Sequence, residues 1–226
     1  MDFLRAASHE LKTPVTALQG MLDNMIMGVG RYRDWETYLP VCRDMAGKFG
    51  VMIQEILDAS RLGFSFGQES VEDVWMGDFM EKILSPYLLI AKSKQVQVDL
   101  DFSHDFTAGF PVNAMEKALS NVLSNAVKYT KPSGKVNVCF RGRAVVIENE
   151  CEPIQANELT HIFEPFYRPD FSRSRNQSSE NPEGGNGLGL YITAKVLTML
   201  SCRFSFEPFG DPDKEGHCGM RFTVFF

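Results

Sequence analysis

The sequence lacks the spacings that announce a metal site or a disulfide framework. Its five cysteines, Cys42, Cys139, Cys151, Cys202 and Cys218, include no Cys-x-x-Cys pair. The histidines other than His9, namely His104, His161 and His217, stand in separate segments without ligand spacing and read as structural or surface residues. A zinc module is therefore excluded, and reduced thiols are the simpler reading. There is no apolar run of the ~18 residues a membrane span needs, and the N-terminus has no charged-then-apolar leader. There is no basic excess either: 23 Lys and Arg stand against 29 Asp and Glu, a formal charge of −6. That balance excludes nucleic acid and anionic lipid as principal partners. The expectation is a cytoplasmic portion without direct membrane contact, any anchor of the parent protein lying outside this sequence.

What is present is globular: 44% hydrophobic and 23% charged residues in 226. At about 150 residues per domain the length suits a small module plus a full one. Leu11, Val15, Leu18, Leu22, Met25 and Val29 alternate steps of four and three, which predicts a helix over residues 3–29 with one buried stripe. Cys42, Met45, Phe49, Met52 and Ile56 repeat those steps, with Ile53 and Leu57 broadening the face. The two helices, joined by residues 28–40, read as a hairpin over 1–63, which buries its stripes fully only by pairing with a second copy into a four-helix bundle. Only eight residues precede His9, so the first helix reads as truncated and the homodimer as weakened.

Gly63 and Gly67 flank a Phe-Ser-Phe segment that breaks the helical period and predict a linker over 64–67. Beyond it, residues 68–226 mix strand and helix signals. Strands are predicted at 71–74, 96–102, 135–140, 144–149, 203–207 and 220–225, and helices at 77–93, 113–129 and 188–200. Such mixing predicts an α+β chain whose second domain layers helices on one face of a mixed sheet. Residues 172–187, rich in Ser, Arg, Asn, Glu and Gly, read as a mobile loop.

On the first helix His9 falls about 160° from the apolar stripe and faces solvent. Glu10 follows it, Thr13 lies on its side of the helix, and Pro14 removes a backbone bond to Glu10 and predicts a kink there. On the helix over 113–129, Asn121, Asn125 and Lys128 form one polar stripe. Met115, Ala118, Leu119, Val122 and Ala126 form the core face beside it. Gly185, Gly187 and Gly189 open a helix, where backbone N–H groups can face phosphates at close approach.

The run Phe3-Leu-Arg-Ala-Ala-Ser-His9-Glu-Leu-Lys-Thr-Pro14 resembles the H-box of two-component sensor histidine kinases. Asn121-Val-Leu-Ser-Asn125-Ala-Val-Lys128-Tyr129-Thr resembles the N-box of the GHKL ATP-binding fold. Phe163-Glu-Pro-Phe166-Tyr-Arg168 resembles its F-box, and Gly185-Asn-Gly187-Leu188-Gly189-Leu190 its G2 box. The text over residues 24–62 is similar to that of glycopeptide-resistance-type sensor kinases. The resemblance implies a dimerisation and phosphotransfer hairpin followed by an ATP-binding α/β sandwich. It implies His9 as nucleophile and phospho-acceptor, Glu10 as general base, and Thr13 as the residue that positions water in dephosphorylating a response regulator. It implies Mg²⁺ on the Asn125 amide oxygen, phosphate on Lys128 and adenine against Tyr129. Ile154, Phe163, Arg168 and the G2 residues become nucleotide-contacting positions, and the segment holding Arg173 and Arg175 an ATP lid. The phosphoryl group then passes to an aspartate on a response regulator receiver domain.

One motif departs from the family. Where the G1 box has Asp-x-Gly-x-Gly, this chain has Asn149-Glu150-Cys151-Glu152-Pro153. Exchanging a charged for a neutral hydrogen bond loses about 1 kcal/mol, roughly fivefold in affinity. The missing glycines send the loop along another path, since Pro153 fixes φ and Cys151 resists positive φ. This leaves open a kinase-dead dimeric scaffold or phosphatase with an impaired ATP site. A chaperone- or topoisomerase-type ATPase would need a catalytic Glu where the chain has Asn121.

Overall fold

A computed structural model of the chain describes residues 3–65, 69–169, 185–210 and 218–226. It divides into two compact units, Met1–Arg61 and Leu62–Phe226. The N-terminal unit is a pair of helices, α1 (Phe3–Ile26) and α2 (Trp35–Ser65), joined through a 3₁₀ turn at Gly30–Arg33. Ala7 and Met25 are buried on α1 and Cys42 on α2, with Cys42 Sγ 4.0 Å from Met25 Sδ.

Three boundaries differ from expectation. The first helix stops at Ile26, because Gly28 and Gly30 take left-handed φ of 62° and 52°. The second begins at Trp35, well before Pro40, because Asp34 accepts a hydrogen bond from the Thr37 N–H at 3.2 Å and caps the start. It then runs through Gly63 to Ser65, so residues 64 and 65 are helical and not linker. One glycine costs a helix about 1 kcal/mol against alanine, too little to stop one this long. Residues 66 and 67 lie outside the described residues. The expected stripe is also only partly covered: Leu22 and Val29 remain 37% and 48% exposed.

The C-terminal unit runs β1 (Val71–Trp75), α3 (Met76–Ser93), β2 (Gln97–Asp101), β3 (Thr107–Pro111), α4 (Val112–Tyr129), β4 (Lys135–Phe140), β5 (Ala144–Glu150), α5 (Ala156–Leu159), α6 (Gly189–Met199), β6 (Arg203–Phe209) and β7 (Gly219–Phe225). Five strands form a mixed sheet in the order β2-β4-β5-β7-β6, parallel only between β2 and β4. β1 and β3 form a separate antiparallel pair. β3 and the single turn α5 were not anticipated, because Thr-Ala-Gly-Phe-Pro shows no alternation and holds two poor strand formers.

Register assigns the two faces of the large sheet. Val136, Val138, Ile147 and Phe222 share the apolar face with Asn149, while Asn137, Glu148 and Arg221 share the other. α4 packs against β5 and α6, burying Met115, Ala118, Leu119, Val122 and Ala126 as the periodicity predicts. Phe106 meets Phe140 at 5.4 Å and Phe110 meets Phe226 at 5.5 Å, tying the small sheet to the far end of the large one.

On the polar face Glu148 collects three donors. Arg221 Nε donates at 2.6 Å and Arg141 at 3.2 Å to one oxygen, and Asn137 donates at 3.1 Å to the other. Burial opposes ionisation of this carboxyl, but the bonds from Asn137 and Arg221 outweigh it and hold the group below its ordinary value. The unfolded carboxyl therefore takes up its proton at higher pH than the folded one. The stabilisation is full above the ordinary carboxylate range and is lost as pH falls through that range towards the folded value. Glu148→Gln is expected to lower stability near pH 7 by about 1–2 kcal/mol and to flatten the acid limb below about pH 5. Urea titrations across pH check this; an acid limb as steep as that of the parent would rule it out.

Candidate functional site

The N-terminal unit displays His9. Its side chain is 80% exposed, on the face of α1 away from Ala7 and Met25, and the Glu10 carboxylate lies 3.6 Å from its Nδ1. Thr13 Oγ1 donates a long bond of 3.4 Å back to the His9 carbonyl, so its hydroxyl lies one turn further along the same exposed face. Pro14 sits inside α1, where it leaves the Glu10 carbonyl without its usual helical donor.

The C-terminal unit brings several predicted residues together. Asn121, Asn125, Lys128 and Tyr129 lie along α4 and are all half-buried. Asn121 Nδ2 donates to the Gly189 carbonyl at 3.2 Å, fastening the stripe to the start of α6. Lys128 Nζ lies 5.4 Å from the Tyr129 ring centre and would be 3.3 Å from a Cβ on Gly185. Burial pushes the Tyr129 phenol above its ordinary value, although the nearby Arg168 guanidinium and the Gly185 N–H that bonds it draw it down. Lys94 Nζ donates to the Lys128 carbonyl at 2.6 Å, closing the C-terminal end of α4.

Gly187 joins the two remaining motifs. Its carbonyl accepts from the Phe166 N–H at 3.0 Å. A Cβ there would lie 2.7 Å from the Phe166 carbonyl carbon, and its φ is 73°, so no other residue fits without displacement. Leu188 is fully buried beneath it and caps α6, and Leu190 is half-buried on the first turn. Phe163 lies elsewhere: its ring stands edge-on to Phe204 at 5.5 Å and anchors the F-box to β6.

Asn149 and Ile154 meet at Met220. Asn149 pairs with Met220 across β5 and β7, and the Ile154 N–H points at the Met220 sulfur at 3.4 Å. Asn149 is 8% exposed, and its side-chain nitrogen is buried without a hydrogen-bond partner among the described residues. An orphaned buried donor costs about 1–3 kcal/mol, and a nucleotide offering an acceptor fits it. Arg173 and Arg175 lie outside the described residues. Among the described residues no helix is long and apolar enough to cross a membrane, and no acidic, His or Cys group is clustered for a metal. A single amide such as Asn125 gives no signal of that kind.

One residue of this arrangement was missed. Thr193, fully buried, places its Oγ1 3.0 Å from both the Ala118 and the Gly189 carbonyls, and so seats α6 on α4. Its only signal in the sequence is a hydroxyl set among the apolar residues Ile192, Val196 and Leu197 of this helix.

These elements make up a helix pair with an exposed histidine and an α/β sandwich whose polar helix stripe meets a glycine-rich helix start. Residues 1–64 match the His Kinase A (phospho-acceptor) domain, and residues 112–226 match the model described as histidine kinase-, DNA gyrase B- and HSP90-like ATPase. The chain belongs to that ATPase family. It is 31% identical over 209 residues to the sensor histidine protein kinase HK06 of Streptococcus pneumoniae, covering 92% of this chain and 45% of that protein. It is 33% identical over 217 residues to the sensor protein VanSB of Enterococcus faecalis, covering 92% of this chain and 46% of that protein. The chain thus spans about half the length of these relatives. In fold it is similar to the Acinetobacter baumannii histidine kinase AdeS, with a TM-score of 0.69 and 20% identity over 96% of this chain and 95% of that one. It is also similar to the histidine kinase ThkA, solved in complex with the response regulator protein TrrA, with a TM-score of 0.68 and 15% identity over 98% of this chain and 60% of that one.

Gly187→Ala is expected to lose about 1–2 kcal/mol from the left-handed φ alone, with the clash against Phe166 adding to it. Thermal melting paired with nucleotide titration checks this; an alanine variant with unchanged melting and affinity would show that the junction has room to spare.

Proposed function

We propose that the chain is the catalytic core of a sensor histidine kinase, which phosphorylates His9 from ATP and passes the group to an aspartate on a response regulator. One observation supports this most: an imidazole 80% exposed, with a carboxylate 3.6 Å from Nδ1. As Nε2 forms its bond to the γ-phosphorus, the bond to the departing ADP oxygen breaks and the Nδ1 proton passes to Glu10. Each lone pair and proton thus has a place to go. Residues 1–63 act as the phosphotransfer hairpin and 68–226 as the nucleotide-binding domain.

On that domain Asn149 meets the base, Tyr129 packs beside it and Lys128 holds phosphate. Gly185, Gly187 and Gly189 keep backbone clear of the ligand at the start of α6. Mg²⁺, held by the Asn125 amide oxygen, supplies neutralising charge to the phosphates when bound. Ile154 and Arg168 complete the contacts, while Phe163 positions the F-box. Thr13, with its hydroxyl one turn from His9, serves removal of phosphate from the regulator.

The hairpin works as a homodimer. Leu4, Leu22, Ile26, Val51 and Leu57 are each at least 37% exposed on α1 and α2, an apolar surface that a second copy covers. The chain is the cytoplasmic portion of a protein anchored in a membrane through segments outside this sequence.

Incubation with γ-labelled ATP and Mg²⁺ is expected to give acid-labile, alkali-stable label on the parent and none on His9→Gln. Glu10→Gln is expected to label about 10²- to 10⁴-fold more slowly. Label on His9→Gln would show another acceptor. No label on a parent that binds its regulator would favour the scaffold or phosphatase reading, to which the glycine-free loop at Cys151 and Pro153 points.

A further inference from the structure

α4 lacks a cap of its own. Pro111 occupies the position before it and offers no side-chain hydrogen bond, and the first turn holds no acidic residue. The first four N–H groups of a helix need partners from outside it. Here the partner comes from 44 residues earlier: one Glu69 carboxylate oxygen accepts from the Asn113 N–H at 2.7 Å and from the Asn113 side-chain amide at 2.8 Å. An acidic group also suits the positive end of the helix dipole. Strand register holds the two segments side by side, since β1 begins at Val71 and Val71 pairs with Pro111.

α3 is served differently. Its Gly77 N–H donates to Asp105 at 2.8 Å, and Asp105 lies between β2 and β3, inside the domain. Glu69 instead lies on the chain that enters the domain from α2, with only residues 66–68 between it and Ser65. α4 is the helix that carries Asn121, Asn125, Lys128 and Tyr129. The entering chain is thus bonded to the start of that helix, about 12 Å along its axis from Asn121.

We propose that Glu69 is a positioning residue for phosphoryl transfer, holding the chain that enters from α2 against the start of the nucleotide helix. The role rests on the histidine kinase reading of the chain; the cap itself does not. About two helical turns separate Asn113 from Asn121, so Glu69 acts through α4 and not on nucleotide. Transfer to His9 needs the γ-phosphate brought into line with the imidazole, and small misplacements are costly there. Freeing the entering chain from α4 enlarges the set of orientations the nucleotide domain explores and dilutes the productive ones. Nucleotide binding within the domain needs no such restriction. The signature is a loss in kcat with nucleotide affinity preserved.

Glu69→Ala and Glu69→Gln are compared with the parent, each as the whole chain. Autophosphorylation from γ-labelled ATP and Mg²⁺, ADP affinity by calorimetry, and amide hydrogen exchange over the first turn of α4 are measured. Glu69→Ala is expected to speed exchange there and to lower kcat at least about fivefold, the ratio a typical helix cap sets. Its KM for ATP and its ADP Kd are expected to stay within about twofold of the parent, as for sites this far apart. Glu69→Gln keeps an amide oxygen that accepts both bonds, and its kcat is expected to stay near that of the parent. An unchanged kcat in Glu69→Ala, or a KM and Kd that rise as far as kcat falls, would overturn the positioning role. So would a Glu69→Gln as slow as Glu69→Ala. Unchanged exchange over the first turn would overturn the cap. A parent that binds ADP but takes no label would overturn the kinase reading and the positioning role with it, while faster exchange in Glu69→Ala would still assign the cap.

Discussion

Thr193 has one proton and two carbonyls within reach, Ala118 on α4 and Gly189 at the start of α6, each 3.0 Å away. Sharing that proton requires the two helices to cross closely, and the crossing is built for it: Ala118 is fully buried and Gly189 has no side chain to interpose. The rest of the site follows from this approach. Only at that distance does Asn121 reach the Gly189 carbonyl. Only with the first turn of α6 so fixed do Gly187 and Gly185 come to rest against Phe166, Lys128 and Tyr129. A hydroxyl buried between carbonyls is directional in a way that an aliphatic contact is not, so it specifies the crossing as well as strengthening it.

The N-terminal unit solves a different problem. It must keep one polar side chain in solvent on a helix that also buries residues, and α1 achieves this by geometry alone. Ala7 and Met25 take the covered side of the helix and His9 takes the other. The same helix pair leaves apolar side chains such as Ile26 and Val51 uncovered as well.

Much of this was legible because one period governs it. On α4 the core residues and the polar stripe both repeat every 3.6 residues, so the sequence separated them and the structure kept them apart. The glycines at 185, 187 and 189 were legible because close approach leaves few other choices. Other features depend on partners far along the chain. β3 forms because β1 offers it an edge, against its own composition. Asn149 is buried by Val136 and Met220, residues that its neighbours in sequence do not reveal. The helix through Gly63 to Ser65 shows the converse: a local breaker was outweighed by the cooperativity of a long helix.

The bond between the Phe166 N–H and the Gly187 carbonyl also bears on how this protein can change. It brings two positions 21 residues apart in the sequence into direct contact, with Phe166 itself at a φ of 64° to meet its partner. The chain between these two positions therefore leaves and re-enters the fold at one hydrogen bond. The entropic cost of such a loop grows only with the logarithm of its length, about 0.6 kcal/mol for each doubling. Substitution, insertion or deletion inside it therefore leaves the frame around Tyr129 and α6 largely undisturbed. Length can vary between the two positions while the frame that joins them stays as it is.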